Sequence, residues 1–349
     1  MANTIKIGNI EASAVMIGNS AVSAVYIGSS KIYPSGGTVD YSSQYLTFEV
    51  VDGGNVTITA SNANVAKTIQ YSTDNGSTWT SLTTSTTAQE LGGALSVGDK
   101  VLVKGTNTKY GTSSYYNSFG GTAKVNVYGN IMSLISGDDF ENNKTLTDSY
   151  TFYRLFYSHT NLLLAENLIL PATTLASGCY IGMFSGCTGL TSAPELPATT
   201  LANWCYQQMF NGCTSLETAP QLPATTLANT CYSNMFNGCT GLTTAPELPA
   251  TTLASSCYQS MFNGCTSLTT APSVLPATTL VYRCYNYMFN GCTKLNYIKA
   301  MFTTAPGEDY TYAWVEGVAS TGTFVKYSAA TWDVTGINGI PTGWTVVTE

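Results

Sequence analysis

The hydrophobic positions of residues 1–34 recur with a period of ten. The segments IKIGN, VMIGN and VYIGS each place apolar residues at alternate positions before a glycine. Alternation followed by a glycine turn predicts three short β-strands. Since about thirty residues bury little surface alone, two interpretations remain: a hairpin packed on the next domain, or an arm that docks onto a partner or onto copies of itself. The apolar docking residues of such an arm are Ile5, Ile7, Val15, Ile17, Val25 and Ile27.

A second region, residues 35–130, alternates apolar and polar residues in five places, separated by glycine-rich turns such as DGGN. Alternation with period two is the pattern of half-buried strands. The apolar positions are Leu46, Phe48, Val50, Val56, Ile58, Ile69, Tyr71, Val101, Val103, Val125 and Val127. This region is therefore predicted to form a small, immunoglobulin-like antiparallel β-sandwich.

Residues 131–303 contain five copies of a repeat of about 26 residues, a period typical of leucine-rich repeats. Its proline recurs at Pro171, Pro197, Pro223, Pro249 and Pro276. Upstream, LFYSHTNL at 155–162 aligns with MFSGCTGL at 183–190. It is a degenerate first repeat that caps the array, with His159 in a cysteine column. The pattern predicts a solenoid, and residues 304–349 are predicted to close it with a short β cap.

Within one repeat, apolar spacing predicts a helix of about ten residues, preceded and followed by extended chain. In residues 222–242 Thr226 is the expected N-cap and Gly238 the residue that ends the helix. Two sets of apolar residues recur at every fourth position, Leu227, Cys231, Met235 and Ala228, Tyr232, Phe236. Because one repeat cannot bury enough surface to offset the entropy of ordering its chain, neighbouring repeats must stack.

Each repeat carries two cysteines eight positions apart, for which three interpretations compete. Zinc sites use closely paired ligands, usually with histidine, and this chain has one His. A disulfide within a repeat would have to join Cα atoms more than about 7 Å apart. Disulfides between repeats would leave one member of a five-membered column unpaired. The sequence favours free, buried cysteines that pack the core.

Composition favours a structural or adhesive protein over an enzyme or a nucleic-acid binder. The 349 residues are 44% hydrophobic and 9% charged, so Ser, Thr, Asn, Gly and Tyr must cover the surface. The net charge of −7 argues against nucleic acid, whose binding depends on Lys and Arg. No apolar run reaches the roughly 20 residues of a membrane span. The first residues, MANTIKIGNIEASAVMIG, do not have the pattern of a signal peptide.

The motif MFNGCTSL followed by LPATTLA resembles the BspA-like leucine-rich repeats of gut Bacteroidales proteins over residues 150–300. The C-terminal GIPTGW is similar to the tail of such arrays, and the IGN/IGS arm resembles N-terminal segments of phage tail and head-fibre proteins. Members are surface adhesins or their relatives in phages of those bacteria. The resemblance brings no shared catalytic residue, cofactor or metal ligand.

The resemblance, with no signal peptide found, implies a virion protein: a phage head or tail fibre or decoration protein, assembled in the host cytoplasm. Residues 1–34 would attach it to other virion proteins, and the repeats would bind a host-surface glycan or protein. The expected oligomer is a homotrimer, with no membrane insertion. The alternative is an exported bacterial adhesin at the cell surface. A glycan-processing enzyme is a third hypothesis.

Columns that vary between repeats provide candidate ligand-binding residues. A column is the set of equivalent positions in successive repeats. The two residues before the first cysteine of each repeat, and the two residues after the Cys-Tyr pair, differ between repeats, whereas the core columns stay the same. These variable positions are therefore expected to face solvent. Trp204, Tyr282, Arg283 and Tyr287 lie in these columns, and exposed aromatics beside an arginine can stack on sugars or peptides. The alternative is unselected surface variation or lateral contact with a neighbouring chain. The tyrosines of the Cys-Tyr step are expected to form a structural ladder.

Three further motifs have structural interpretations beside catalytic ones. STDNGSTW at 72–79 fits the Asp-box pattern and predicts a hairpin turn with Trp79 packed beneath it. SGDDFENN at 136–143 places Asp138 and Asp139 together but does not match an EF-hand loop, so a solvated linker is favoured over a calcium site. His159 is expected to be a packed cap residue and not a general base.

Overall fold

The computed structural model of the protein describes residues 16–17, 20–21, 25–27, 30–32 and 39–349. The chain forms two compact units, residues 1–41 and 42–349. In the first unit, two antiparallel pairs form: β1 (Met16–Ile17) with β2 (Ser20–Ala21), and β3 (Val25–Ile27) with β4 (Ser30–Ile32). Of the predicted arm residues, Ile17, Val25 and Ile27 lie in these strands, whereas Ile5, Ile7 and Val15 lie outside the described residues.

The second unit begins with two β-sheets, and the strands predicted from alternation are present. The strands are β5 (Leu46–Asp52), β6 (Val56–Ala60), β7 (Thr68–Ser72), β8 (Thr80–Thr83), β9 (Gln89–Glu90), β10 (Lys100–Lys104), β11 (Asn117–Gly121), β12 (Lys124–Asn130) and β13 (Leu162–Ile169). The larger sheet has the order β13-β12-β5-β10-β7-β8, and the smaller one the order β11-β6-β9.

The two sheets do not form an isolated immunoglobulin-like sandwich, because a strand from the repeat region continues the larger sheet. β13 pairs in parallel with β12, with Val125 opposite Leu162. Between the sheets, the rings of Phe48 and Phe119 lie 4.9 Å apart. Phe156, which precedes β13, lies 5.8 Å from Phe119, so one core runs from the sheets into the repeats.

The prediction of a strand-and-helix solenoid is wrong. Within residues 39–349, the α-helices are α1 (Ser133–Ser136) and α2 (Glu308–Thr311), and neither lies in the predicted helical segment of a repeat. Each repeat instead forms one coil of consecutive turns, and the coils stack on each other. We call residues 150–317 the repeat stack. No helix in the described residues is long and apolar enough to cross a bilayer.

The backbone of a coil shares its hydrogen bonds between local turns and the next coil. The amide of Cys231 donates to Ala228 O, three residues back, at 3.3 Å, whereas that of Tyr232 donates to Cys257 O of the next coil at 3.1 Å. A left-handed residue occurs every fourth position, at φ of 60° for Thr230, 55° for Asn234 and 71° for Gly238. This four-residue period gives the same apolar spacing, i, i+4, i+8, as one face of a helix, which is why the pattern suggested one.

The predicted helix ends have other roles in this backbone. Thr226, the expected N-cap, forms single-residue parallel bridges with Thr200 and Thr252. Gly238 does adopt the left-handed conformation, but it joins two turns and ends no helix. The extended part of each repeat is thus a ladder of isolated bridges, made by equivalent threonines of successive coils.

Aromatic ladders fill the repeat stack, and the predicted tyrosine ladder is confirmed. The rings of Phe184, Phe210, Phe236, Phe262 and Phe289 follow each other at 5.4–5.7 Å and are nearly parallel. Those of the Cys-Tyr tyrosines follow at 5.6–5.9 Å. Equivalent side chains stack because every coil presents them in the same orientation. The members of the tyrosine ladder are Tyr180, Tyr206, Tyr232, Tyr258 and Tyr285.

All ten cysteines are free and buried, which confirms that they pack the core. The second cysteine of each repeat also donates from its thiol to a phenylalanine carbonyl of the preceding coil, as Cys239 Sγ does to Phe210 O at 3.0 Å. Burial raises the pKa of these thiols, to about 12 for Cys265. The thiols therefore stay protonated at neutral pH and are poor nucleophiles.

Short strands and three tryptophans close the C-terminal end. The strands β14 (Tyr297–Ala300), β15 (Thr323–Lys326) and β16 (Thr345–Thr348) form a parallel sheet. Trp314 is fully buried, 6.2 Å from the last ring of the phenylalanine ladder, and Trp332 stacks on Phe302 at 5.2 Å. Residues 309–316 accept amide bonds from the last repeat and so form one more coil.

Replacing Thr230 by glycine is expected to raise the free energy of unfolding by about 0.5–1 kcal/mol. A non-glycine residue in the left-handed conformation costs about 1–2 kcal/mol, and glycine avoids this cost. Glycine also loses more backbone entropy on folding, which offsets about half of that stabilisation. Gly178 already occupies the equivalent position, at φ 62°. Urea unfolding should rank Thr230→Gly above Thr230→Ala. The reverse order, expected for a helix, would contradict the turn ladder.

Candidate functional site

Three columns of left-handed residues run along the repeat stack. One of them is glycine from Gly186 to Gly317, whereas bulky side chains occupy the other two near both ends. Such residues cost about 1–2 kcal/mol each relative to glycine, so a large side chain there points to a role outside the fold. The first column contains Tyr150, Gly178, Trp204, Thr230, Ser256 and Arg283, and the second Arg154, Gly182, Gln208, Asn234, Ser260 and Tyr287. The middle coils carry small or polar residues in both columns. Candidate sites therefore lie at the two ends.

At one end, three of the predicted residues come together in an open cleft of about 420 Å³. We call it the C-terminal cleft. The guanidinium of Arg283 lies 4.9 Å from the ring of Tyr282, which is 51% exposed. Tyr287 meets Tyr312 edge to face at 5.2 Å. The lining residues are Gln259, Tyr282, Arg283, Asn286, Tyr287, Glu308, Asp309 and Tyr312.

Polar groups of the C-terminal cleft are fixed by bonds to the last coil. The Arg283 amide donates to Asp309 O, and the buried side chain of Asn286 accepts from the Tyr312 amide at 2.9 Å. Arg283 forms no salt bridge with any residue between 39 and 349. The cleft thus presents ring faces, an available guanidinium, carboxylates and amides. This set can stack on a ring and bond to hydroxyl groups from several sides.

Trp204, the fourth predicted residue, does not join this cleft. It lies three repeats away, is 41% exposed, and lines a second cleft of about 260 Å³ with Tyr150 and Tyr153. Sequence reasoning missed both tyrosines, and also Arg154. The signal was available: extending the variable columns one repeat upstream, to the degenerate first repeat, reaches Tyr150 and Arg154.

The variable columns were predicted to face solvent, and this holds for only some of their residues. In the pairs before the first cysteines, half of the residues are exposed, among them Trp204 and Tyr282, and the others are half-buried except for the buried Gly178. In the pair after the Cys-Tyr step, Ser233, Ser260 and Asn286 are buried. For Asn286 the reason is clear, because residues 308–312 cover it and bond to its amide group.

The Asp box is a structural turn, as predicted. It joins β7 to β8, and the Asp74 carboxylate accepts from Ser72 Oγ at 2.7 Å and from the amide and hydroxyl of Thr78 at 2.9 and 2.7 Å. These hydrogen bonds lower the pKa of Asp74 to about 2. Gly76 adopts φ 86° above the ring of Trp79. The carboxylate is engaged by its own turn and has no catalytic geometry.

Asp138 is solvent-exposed, as predicted for a solvated linker, but its carboxylate also has a structural role. Its carboxylate accepts from Lys104 Nζ and Tyr45 Oη, both at 2.7 Å, and the bond to Lys104 contributes most to lowering its pKa. The Lys104 ammonium also lies 4.2 Å from the Trp79 ring. Asp139 is exposed and joins none of these bonds. In the described chain, no three His, Cys, Asp or Glu residues are placed to hold a metal ion.

His159 is a packed residue of the first coil, as predicted. It is 3% exposed, and its Nε2 has no hydrogen-bond partner. Burial lowers its pKa to about 4, so the ring is neutral at pH 7. The ring is closed off from solvent and therefore packs the first coil, where an external substrate does not reach it.

The candidate site therefore consists of two clefts at opposite ends of the left-handed columns. Tyr282, Arg283 and Tyr287 mark one, and Trp204 marks the other. Their assignment to ligand binding depends on this geometry alone. Comparisons with protein-family models, with curated proteins and with solved structures found no match to this chain.

Proposed function

We propose that this protein is a non-catalytic adhesion protein, a head or tail fibre or decoration protein of a phage particle, whose repeat stack binds a glycan at the host surface. The observation that carries the proposal is the C-terminal cleft. There Tyr282, Arg283 and Tyr287 occupy one open surface, and two of the three have left-handed backbones that glycine would adopt at lower cost. The fold does not require these side chains, so a ligand is the better explanation.

A glycan fits the chemistry of this cleft better than an apolar ligand. Tyrosine offers a flat face to the C–H side of a sugar ring and a hydroxyl to its rim, with only two torsions to order. The carboxylates of Glu308 and Asp309 and the Gln259 amide lie at the same cleft and can accept or donate to sugar hydroxyls. Because each coil is hydrogen-bonded to its neighbours, little conformational entropy is lost on binding.

The attachment part of the proposal concerns residues 1–34. Their period-ten pattern, within which β1 to β4 form two short antiparallel pairs, suits an arm that adds to another protein. We propose that the arm binds other virion proteins and that the assembled fibre is a homotrimer. Mass photometry of the full chain should give three times the chain mass, whereas a monomer at all concentrations would refute the trimer.

Immunogold labelling of an infected host culture, with an antibody to this chain, tests the location. We expect gold on phage particles, at the head or at the tail. Gold on bacterial envelopes with bare particles would refute the virion proposal and support a bacterial surface adhesin instead.

Removal of Tyr282 and Arg283 is expected to weaken binding to host cells about tenfold or more, since a few central aromatic and arginine residues carry most of an interface's energy. The full chain is labelled, and its saturation on host cells is measured for wild type, Tyr282→Ala and Arg283→Gly. Tyr297→Ala is the matched control, because Tyr297 is 41% exposed but lies outside the cleft. Equal binding by all four proteins would remove the cleft from the proposal.

A further inference from the structure

The two arginines of the chain share an unusual environment. Arg154 and Arg283 both have left-handed backbones, at φ 55°, and both guanidinium groups lie over tyrosine rings. Six lysines form salt bridges, whereas neither arginine does in the part of the chain that the structure describes. Lys67, Lys144 and Lys294 also form none there, but unlike the arginines they lie over no aromatic ring. Two cations without a carboxylate partner, on the face already marked by bulky left-handed residues, point to an external anion.

Arg154 is the more completely enclosed of the two. Its guanidinium lies 4.5 Å from the ring of Tyr157, 5.3 Å from that of Tyr153 and 5.4 Å from that of Tyr116. Tyr116 meets the other two rings edge to face, at 5.9 and 5.6 Å. We call these four residues the tyrosine cage. Three rings surround the guanidinium and restrict its movement, which reduces the entropy lost when it binds a planar partner.

The hydrogen-bonding capacity of Arg154 is unfilled. Its Nε is buried and has no hydrogen-bond partner, and no bond from its side chain to another described residue is found. An unpaired buried donor on a charged group carries a desolvation cost that the fold alone does not offset. The two terminal Nη groups are not buried in this way, and an external carboxylate can bind them with two parallel, charge-assisted hydrogen bonds.

The tyrosines of the cage line two different clefts, while Arg154 lies between these rings and lines neither cleft. Tyr153 lines the cleft of Trp204 and Tyr150, whereas Tyr116 and Tyr157 line another, of about 250 Å³. A chain of sugar rings laid across the cage would therefore meet aromatic faces on both sides of Arg154. The polar groups beside these faces include Gln207 and Gln208 on one side, which can bond to hydroxyls.

We propose that the tyrosine cage is a second ligand site, which binds a carboxylate-bearing sugar of an acidic glycan, with the carboxylate on Arg154 and the neighbouring sugars on Trp204 and the tyrosines. The chain's net charge of −7 creates no broad positive field, so highly charged polyanions such as nucleic acid gain little beyond one ion pair. This second site rests on the proposed function, because its ligand is taken to be a glycan of the host surface. The site itself is separate from the C-terminal cleft.

Binding of the full chain to three uronic-acid tetrasaccharides, from pectate, alginate and hyaluronan, tests the proposal by calorimetry. Each is compared with its carboxyl-reduced, neutral form. We expect at least one acidic form to bind ten times tighter or more than its neutral form. Arg154→Gly should abolish that preference, and Arg154→Lys should keep only part of it, because an ammonium cannot form the paired bonds.

The controls separate the cage from folding and from the C-terminal cleft. Glycine is already the equivalent residue at Gly182, also at φ 55°, so Arg154→Gly should melt within a few degrees of wild type; Arg154→Gln provides a second variant. Lys294→Gln removes an exposed charge elsewhere on the stack and should leave binding unchanged. A preference lost in Arg283→Gly but kept in Arg154→Gly would overturn the cage as the acidic site.

The remaining outcomes distinguish this inference from the proposed function. A wild-type chain that binds host cells but shows no preference for any acidic tetrasaccharide overturns the cage and leaves the proposed function intact. A chain that binds neither the tetrasaccharides nor host cells overturns both.

Discussion

Replacing Phe236 by alanine is expected to lower the free energy of unfolding by about 3–5 kcal/mol, the cost typical of emptying a phenylalanine site in a core. Phe236 is fully buried and lies midway along its ladder, 5.7 Å from both Phe210 and Phe262. The cavity cannot collapse easily, because backbone bonds between coils hold the neighbouring rings in place. The Phe236 amide, for example, donates to Met261 O at 2.9 Å.

Urea unfolding followed by circular dichroism measures this loss. Phe236→Leu, which fills more of the space, should lose about 1–2 kcal/mol. Gln221→Ala, at an exposed position of the same stack, should stay within about 0.5 kcal/mol of wild type. A loss of less than 1 kcal/mol for Phe236→Ala would show that the rings do not form a close-packed ladder.

Acidification from pH 6.5 to pH 4 is expected to destabilise the protein by about 3 kcal/mol through His159 alone. Burial lowers its pKa to about 4, against about 6.5 in the unfolded chain. Between these values the unfolded state binds more protons than the folded state, so stability falls as the pH falls. Above pH 6.5 the imidazole is neutral in both states and the full stability is present.

His159→Cys isolates this contribution, because cysteine occupies the equivalent position in every later repeat. A buried thiol such as Cys187, whose pKa burial raises to about 12, does not titrate in this range. Between pH 6.5 and pH 4 the unfolding free energy of the wild type should fall by about 3 kcal/mol more than that of the variant. Asp74, with a pKa of about 2, and other carboxyls contribute equally to both. Parallel curves would refute a buried neutral histidine.

Local patterns identified the packing residues of the repeats but not their backbone. The spacing of four residues from Cys231 to Met235, and from Tyr232 to Phe236, correctly predicted that these side chains are buried. A helix and a ladder of turns both produce that spacing, since a helical period of 3.6 and a period of 4.0 differ little over two turns. Glycines at 178, 182 and 186 were the local sign against a helix, because glycine disfavours helices and suits positive φ.

The candidate site was predictable as a set of columns but not as two clefts. Variation between repeats selected Tyr282, Arg283 and Tyr287, which the structure brings together. It also selected Trp204, which lies in another cleft beside Tyr153. The tyrosine cage was missed because Tyr116 belongs to the sheet region and Arg154 to the degenerate first repeat. Residues so far apart in sequence meet only through the shared core of the sheets and the repeats.

By itself, the sequence determined most of the buried side chains of each repeat, the five strands β5, β6, β7, β10 and β12, and the free, packed state of the cysteines. Each of these follows from hydrophobicity and period, which are local properties. Tertiary structure decided the path of the backbone. Half of the turn amides, such as that of Tyr232, bond to the next coil, and those bonds exist only once the coils are stacked. Stacking therefore selected turns over helices, and it placed Arg154 among three tyrosines.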